Sequence, residues 1–190
     1  MALSAIVLSS LALAAPTAAS PAVSQVQIWE LAVSLSAGVV YRMDSMPANL
    51  HQPGNEFLQH GLELAKTLSV PLPDDPVLKG AEVDTMAAMG YLVGAGSHPT
   101  AKFLEKQGGR AAAALFEFGM LSHLAMTSVV PASETAKGLA DQIETAAKDS
   151  GITPSTWNPF VDALRNGKTR DAAKNAMPDM LKVVARACAK

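Results

Sequence analysis

The stretch from Ala111 to Val130 places the strongest constraint on how this chain of 190 residues folds. It is almost entirely apolar, and its only ionisable side chains are Glu117 and His123. A helix that is apolar on nearly all sides normally lies at the centre of a bundle or in a membrane. The segment is long enough to cross a bilayer, but Glu117, Ser122 and His123 would be costly there. We therefore expect a buried central helix.

The rest of the chain also has the pattern of a helical protein. No stretch alternates apolar and polar residues over a long run, and β-branched residues are sparse, so a sheet is not expected. Apolar residues instead recur at three- and four-residue spacing between proline and glycine breakers. The predicted helices are Val23–Met43, Glu56–Ser69 with an Asn55 cap, Val77–Val93, a short helix opened by Ser97 and Pro99, Arg110–Val130, Ser133–Asp149 closed by Gly151, and Thr169–Ala189. Between the last two, Thr153-Pro154 and Asn158-Pro159 each have the pattern of a cap followed by a first-turn proline. We predict an all-α fold, an irregular bundle of about seven or eight helices forming a single domain over residues 23–190.

The first 22 residues have the pattern of an export signal. No Asp, Glu, Lys or Arg occurs before Glu30, and the apolar run from Met1 to Ala15 is typical in length of a signal-peptide core and too short to span a bilayer. Small residues offer cleavage before Ala15 or before Ser20. The run lacks the usual basic residue at its start, so an ordinary first helix of a cytoplasmic protein is the alternative. We predict a leader at residues 1–22 and a periplasmic or secreted protein.

Composition and charge exclude several classes of protein. Fifteen basic and seventeen acidic residues give a net charge of −2, which is unsuited to binding the phosphates of nucleic acid. The one cysteine, Cys188, excludes an intramolecular disulfide and a cysteine-cluster zinc site. The chain has no serine-hydrolase elbow, phosphate loop, zinc-protease motif or haem-attachment motif. We expect no cofactor, and no stable membrane insertion apart from the leader.

Glu117 and His123 are the candidate ligand-binding residues. A carboxylate inside an apolar helix must be paired, hydrogen-bonded or protonated, because burial of a bare charge is costly. Glu117 therefore reads either as a functional acid or, as the more frequent case, as a structural carboxylate paired with a cation. His123 follows six residues later, about 240° around the helix, so the two side chains point to different faces.

Glu56, His60 and Glu63 are the candidate metal ligands. Their spacing places all three on one face of a helix, and two carboxylates with an imidazole form half of a divalent metal site. Paired-helix metal sites need a Glu-x-x-His motif, which this stretch lacks. The alternative is a solvated polar face.

Two functions from different classes agree with this sequence. One is a non-catalytic binding or accessory protein whose partner is an unknown protein or small molecule. The other is an enzyme that uses a small ligand or a metal, with its site around Glu117 and the histidines of the helical core. The export-like start and the lack of catalytic motifs favour the first.

Overall fold

The computed structural model describes residues 23–42, 46–73, 75, 77, 78, 98–127, 134–151 and 153–168. Within these residues the chain is all-helical and forms a single domain, as predicted. It contains six α-helices and one short 3₁₀ helix: α1 Gln25–Tyr41, the 3₁₀ helix Ala48–Leu50, α2 His51–Thr67, α3 Pro99–Gly108, α4 Arg110–Thr127, α5 Glu134–Asp149 and α6 Pro154–Arg165. The leader, the helix predicted at 169–189 and nearly all of the one predicted at 77–93 lie outside the described residues, so the count of seven or eight stays a prediction.

Two helices, α1 and α4, form the centre of the bundle. Every residue of α4 from Ala112 to Ala125 is buried, which confirms the central helix expected from the sequence. Every residue of α1 from Leu31 to Tyr41 is buried as well. Helix α4 packs on α1, α3 and α5, and α1 packs on α2, α3 and α4. Within the part of the chain that the structure describes, no helix is both long and apolar enough to cross a membrane.

Small residues let the helices around α1 approach closely. A Cβ added to Gly38 of α1 would lie 2.7 Å from the Cα of Leu58 in α2, and one added to Gly119 of α4 would lie 2.7 Å from the Cα of Ser36. Neither position has room for a side chain, since real Cβ atoms do not come this close to a backbone. The glycines therefore fix the depth at which α2 and α4 pack against α1.

The outer helices are held by apolar faces and by their ends. Helix α5 buries Leu139, Ala140, Ile143, Ala146 and Ala147, and α6 buries Trp157, Phe160, Val161 and Leu164 against it. Gly109 links α3 directly to α4 with φ of 85°, and Gly151 follows α5 with φ of 75°. Both glycines occupy the left-handed region, which residues with a side chain rarely adopt.

Two predicted helix starts are wrong. Helix α2 begins at His51, not after Asn55. Pro53 is then in its first turn, where a missing N–H removes no helical hydrogen bond. Helix α6 begins after Thr153 as predicted, but it continues through Pro159, where a second start was expected. The missing N–H of Pro159 would have bonded the carbonyl of Ser155, and both residues are exposed, so water can replace that hydrogen bond.

Candidate functional site

Glu117 forms a paired, buried carboxylate in the middle of α4. Its residue is 6% exposed. The Arg110 guanidinium donates two parallel hydrogen bonds to it, from Nη1 to Oε1 at 2.8 Å and from Nη2 to Oε2 at 2.7 Å. Arg110 starts the same helix seven residues earlier, so both side chains lie on one face and reach toward each other along two turns. Both carboxylate oxygens of Glu117 are thus engaged within the protein.

Arg110 also joins α4 to α5. Its Nε donates to Oδ2 of Asp149, the last residue of α5, at 2.9 Å. The hydrogen bond to Glu117 raises the pKa of Arg110 above its ordinary value, burial opposes this, and the hydrogen bond to Asp149 adds to the rise. The guanidinium side chain remains 41% exposed while the Glu117 side chain is 7% exposed. The unit is therefore a buried anion covered by a cation that faces water.

His123 is buried near the C-terminal end of α4, apart from Glu117. Its residue is 2% exposed, and the neighbouring Ser122 is 4% exposed. The hydroxyl of Ser122 has no hydrogen-bond partner among the described residues. Glu117 and His123 are separated by about 9 Å of rise along the helix and point to different faces, as the sequence indicates. The structure does not bring these two candidate residues into one site.

Asp75 and His98 form a second buried pair, which the sequence analysis missed. Nε2 of His98 lies 2.9 Å from Oδ2 of Asp75, and the two side chains are 10% and 3% exposed. The other ring nitrogen, Nδ1, accepts the backbone N–H of Thr100 at 3.2 Å. His98 is thus the N-cap of α3, where Ser97 had been expected, while Pro99 occupies the first turn as predicted. No local pattern pointed to this pair, because 23 residues separate its members.

The three candidate metal ligands lie on exposed positions of α2. His60 Nε2 lies 2.7 Å from Oε1 of Glu30 on α1. Glu56 accepts a hydrogen bond from the Gln52 amide, and Glu63 accepts one from the Gln59 amide. In the described ranges no three His, Cys, Asp or Glu side chains form a group able to hold a metal ion. Metal binding by these residues stays a prediction that this arrangement does not support.

Comparison of the chain with models of protein families, with curated proteins and with solved structures finds no match.

Proposed function

We propose that this chain is an exported all-helical domain that acts by binding a partner, as a non-catalytic accessory protein. The observation that carries the proposal is the pairing of Glu117, the one acidic residue in α4. Both of its oxygens accept hydrogen bonds from Arg110, so the carboxylate is occupied in holding α4 and, through Arg110, the end of α5. A general acid or a ligand-binding carboxylate needs at least one oxygen directed at the reacting molecule.

The buried pair of Asp75 and His98 supports the same proposal. Both ring nitrogens of His98 are engaged, one with Asp75 and one with the backbone N–H of Thr100. In a catalytic Asp–His pair, the nitrogen away from the carboxylate faces the nucleophile or the substrate. Here that nitrogen caps a helix, so the pair serves the fold.

Export is tested by expressing the full chain with its own N-terminus in a bacterium. We expect a shortened product outside the cytoplasm whose intact mass places its first residue at Ala15 or Ser20. A matched control, Leu8→Arg with Leu11→Arg, adds charge to the apolar run and should retain the full-length chain in the cytoplasm. Recovery of the uncut wild-type chain from the cytoplasm would contradict the proposal.

Binding is tested by the thermal melt of the purified protein mixed with a native extract. Ultrafiltration divides the extract into a macromolecular fraction and a small-molecule fraction. A partner that binds only the folded state raises Tm, by an amount that depends on its concentration relative to Kd. We expect a rise with the macromolecular fraction that disappears after protease treatment of that fraction. No rise with either fraction would contradict a binding role.

An enzyme using a small ligand is the second candidate, and the observation that favours it is the burial of two consecutive polar residues, Ser122 and His123, in α4. The Ser122 hydroxyl has no hydrogen-bond partner among the described residues, so it can serve a bound molecule. This candidate requires a Tm rise with the small-molecule fraction that Ser122→Ala and His123→Gln abolish. Its metal-dependent form also requires a stoichiometric metal in elemental analysis of the purified protein.

A further inference from the structure

The start of α3 is tied to the preceding connection through His98 and Thr100. Nε2 of His98 faces Asp75 and Nδ1 accepts the N–H of Thr100, at 2.9 and 3.2 Å. The carboxylate is held from its other side, because the N–H of Val77 donates to Oδ1 of Asp75 at 2.8 Å. The hydroxyl of Thr100 donates to the carbonyl of Pro71 at 2.7 Å. Two of these four hydrogen bonds, from His98 to Asp75 and from Thr100 to Pro71, join the start of α3 to the preceding connection.

This geometry fixes the protonation state of the ring. A nitrogen that accepts an N–H carries no proton, so Nδ1 of His98 is bare and Nε2 carries the proton that it donates to Asp75. His98 is therefore neutral in this arrangement. A second proton could go only to Nδ1, where its N–H would face the N–H of Thr100 and the cap would be lost. The hydrogen bond to Asp75 would remain and would become a full ion pair.

Asp75 is the charged group that the described part of the chain places against the ring. Among the described residues, it is the only charged side chain within hydrogen-bonding distance of His98. From α4 the ring of Phe116 packs against the imidazole, with centroids 5.1 Å apart. Glu117 follows it on the same helix, but both of its oxygens are bonded to Arg110. On α3 itself the next cation, Lys102, is exposed.

We propose that His98 is a proton-sensitive cap. In its neutral form it closes the first turn of α3 and holds the 71–77 connection through Asp75. In its protonated form it keeps Asp75 but releases Thr100, so that acidification loosens the start of α3 while the connection stays attached. The device therefore responds to the protonation of the ring. It depends neither on the proposed partner nor on export.

The test follows the His98 ring and the Thr100 amide of the full-length protein by NMR while the pH is lowered from about 8 to about 5. The ¹⁵N shifts of the His98 ring report its tautomer, and amide exchange of Thr100, divided by its intrinsic rate at each pH, reports the cap. We expect a bare Nδ1 at the alkaline end and a rise in normalised Thr100 exchange that follows the protonation of the ring. An N-cap contributes about 1 kcal/mol, which corresponds to about fivefold faster exchange.

Two variants separate the cap from the ion pair. Asparagine is a good N-cap that does not titrate, so His98→Asn should remove the pH dependence of Thr100 exchange. Asp75→Asn removes the charge that favours the imidazolium and should move the rise in exchange to lower pH. The proposal is overturned if the ring protonates without a change in Thr100 exchange, or if the ring stays neutral down to about pH 5. It is also overturned if Nδ1 carries the proton at alkaline pH, or if His98→Asn keeps the wild-type pH dependence.

Discussion

The pairing of Arg110 with Glu117 predicts that the two residues are unequal in their contribution to stability. Removal of the cation in Arg110→Met leaves a carboxylate whose side chain is 7% exposed with no counter-charge. Removal of the anion in Glu117→Gln leaves a guanidinium that is 41% exposed and still bonded to Asp149. The loss of stability therefore depends on how deeply the remaining charged group is buried. Arg110→Met should be the more destabilising substitution.

The magnitudes follow from that difference in burial. Removing one partner of a buried ion pair costs about 3–5 kcal/mol of unfolding free energy. We expect about 3 kcal/mol for Arg110→Met, because water can enter the space of the half-exposed guanidinium and solvate the remaining carboxylate. Glu117→Gln keeps one acceptor and should cost about 1–1.5 kcal/mol. The double variant should cost less than the sum, with a coupling of about 1–2 kcal/mol. For a domain of this size each kcal/mol lowers Tm by about 2–4 °C.

Urea unfolding followed by far-UV circular dichroism measures these free energies, and Arg165→Met on α6 supplies a matched control. The Arg165 side chain is 36% exposed, close to that of Arg110, but its partners Asp141 and Glu144 are 69% and 23% exposed. Loss of that exposed pairing should cost about 0.5 kcal/mol. The reasoning is refuted if Arg110→Met costs no more than Arg165→Met, or less than Glu117→Gln.

Two further predictions concern α4 and α5. Gly119→Ala should destabilise the protein by about 1–3 kcal/mol because the added Cβ meets the backbone of Ser36. Gly138→Ala in α5, whose added Cβ meets nothing within 4 Å, should stabilise the protein by about 0.5–1 kcal/mol in the same urea assay. Equal effects of the two substitutions would contradict the close packing of α4 on α1. The hydrogen bond from Lys148 is the largest cause that lowers the pKa of Glu144, so this carboxyl stabilises the fold at neutral pH and loses that contribution as the pH falls through its lowered pKa. An NMR titration should show this pKa rising toward its ordinary value in Lys148→Ala, and an unchanged pKa would contradict the assignment.

The central position of α4 could be predicted from sequence because its pattern is extreme. A run with only Glu117 and His123 as ionisable groups has no polar face to present to water, and every residue from Ala112 to Ala125 is buried. Helix α1 is as deeply buried as α4, but its sequence does not indicate this. Ser34 and Ser36 interrupt its apolar run, yet both are buried, and Ser36 lies where Gly119 approaches. A serine in a sequence is normally predicted to be exposed, and its place in a close helix contact becomes clear only when the facing glycine is known.

The pairing of Arg110 with Glu117 could have been predicted from the sequence. Seven residues advance a helix by about 700°, which returns to almost the same face, so Arg110 and Glu117 share a face by spacing alone. Their Cα atoms are about 10.5 Å apart along the axis, farther than the three- and four-residue pairs that sequence patterns usually consider. The long side chains of Arg110 and Glu117 span that distance.

The partners that lie far apart along the chain could not be predicted from the sequence, for a physical reason. Asp149 lies 39 residues from Arg110, and Asp75 lies 23 residues from His98. Such pairs follow from how the helices pack, and that packing is set by where glycine and serine permit contact. The same reasoning explains why sequence selected Glu117 and His123 as candidates and passed over His98. A polar residue inside an apolar run stands out in the sequence, whereas the pairing of His98 with the distant Asp75 appears only once the chain is folded.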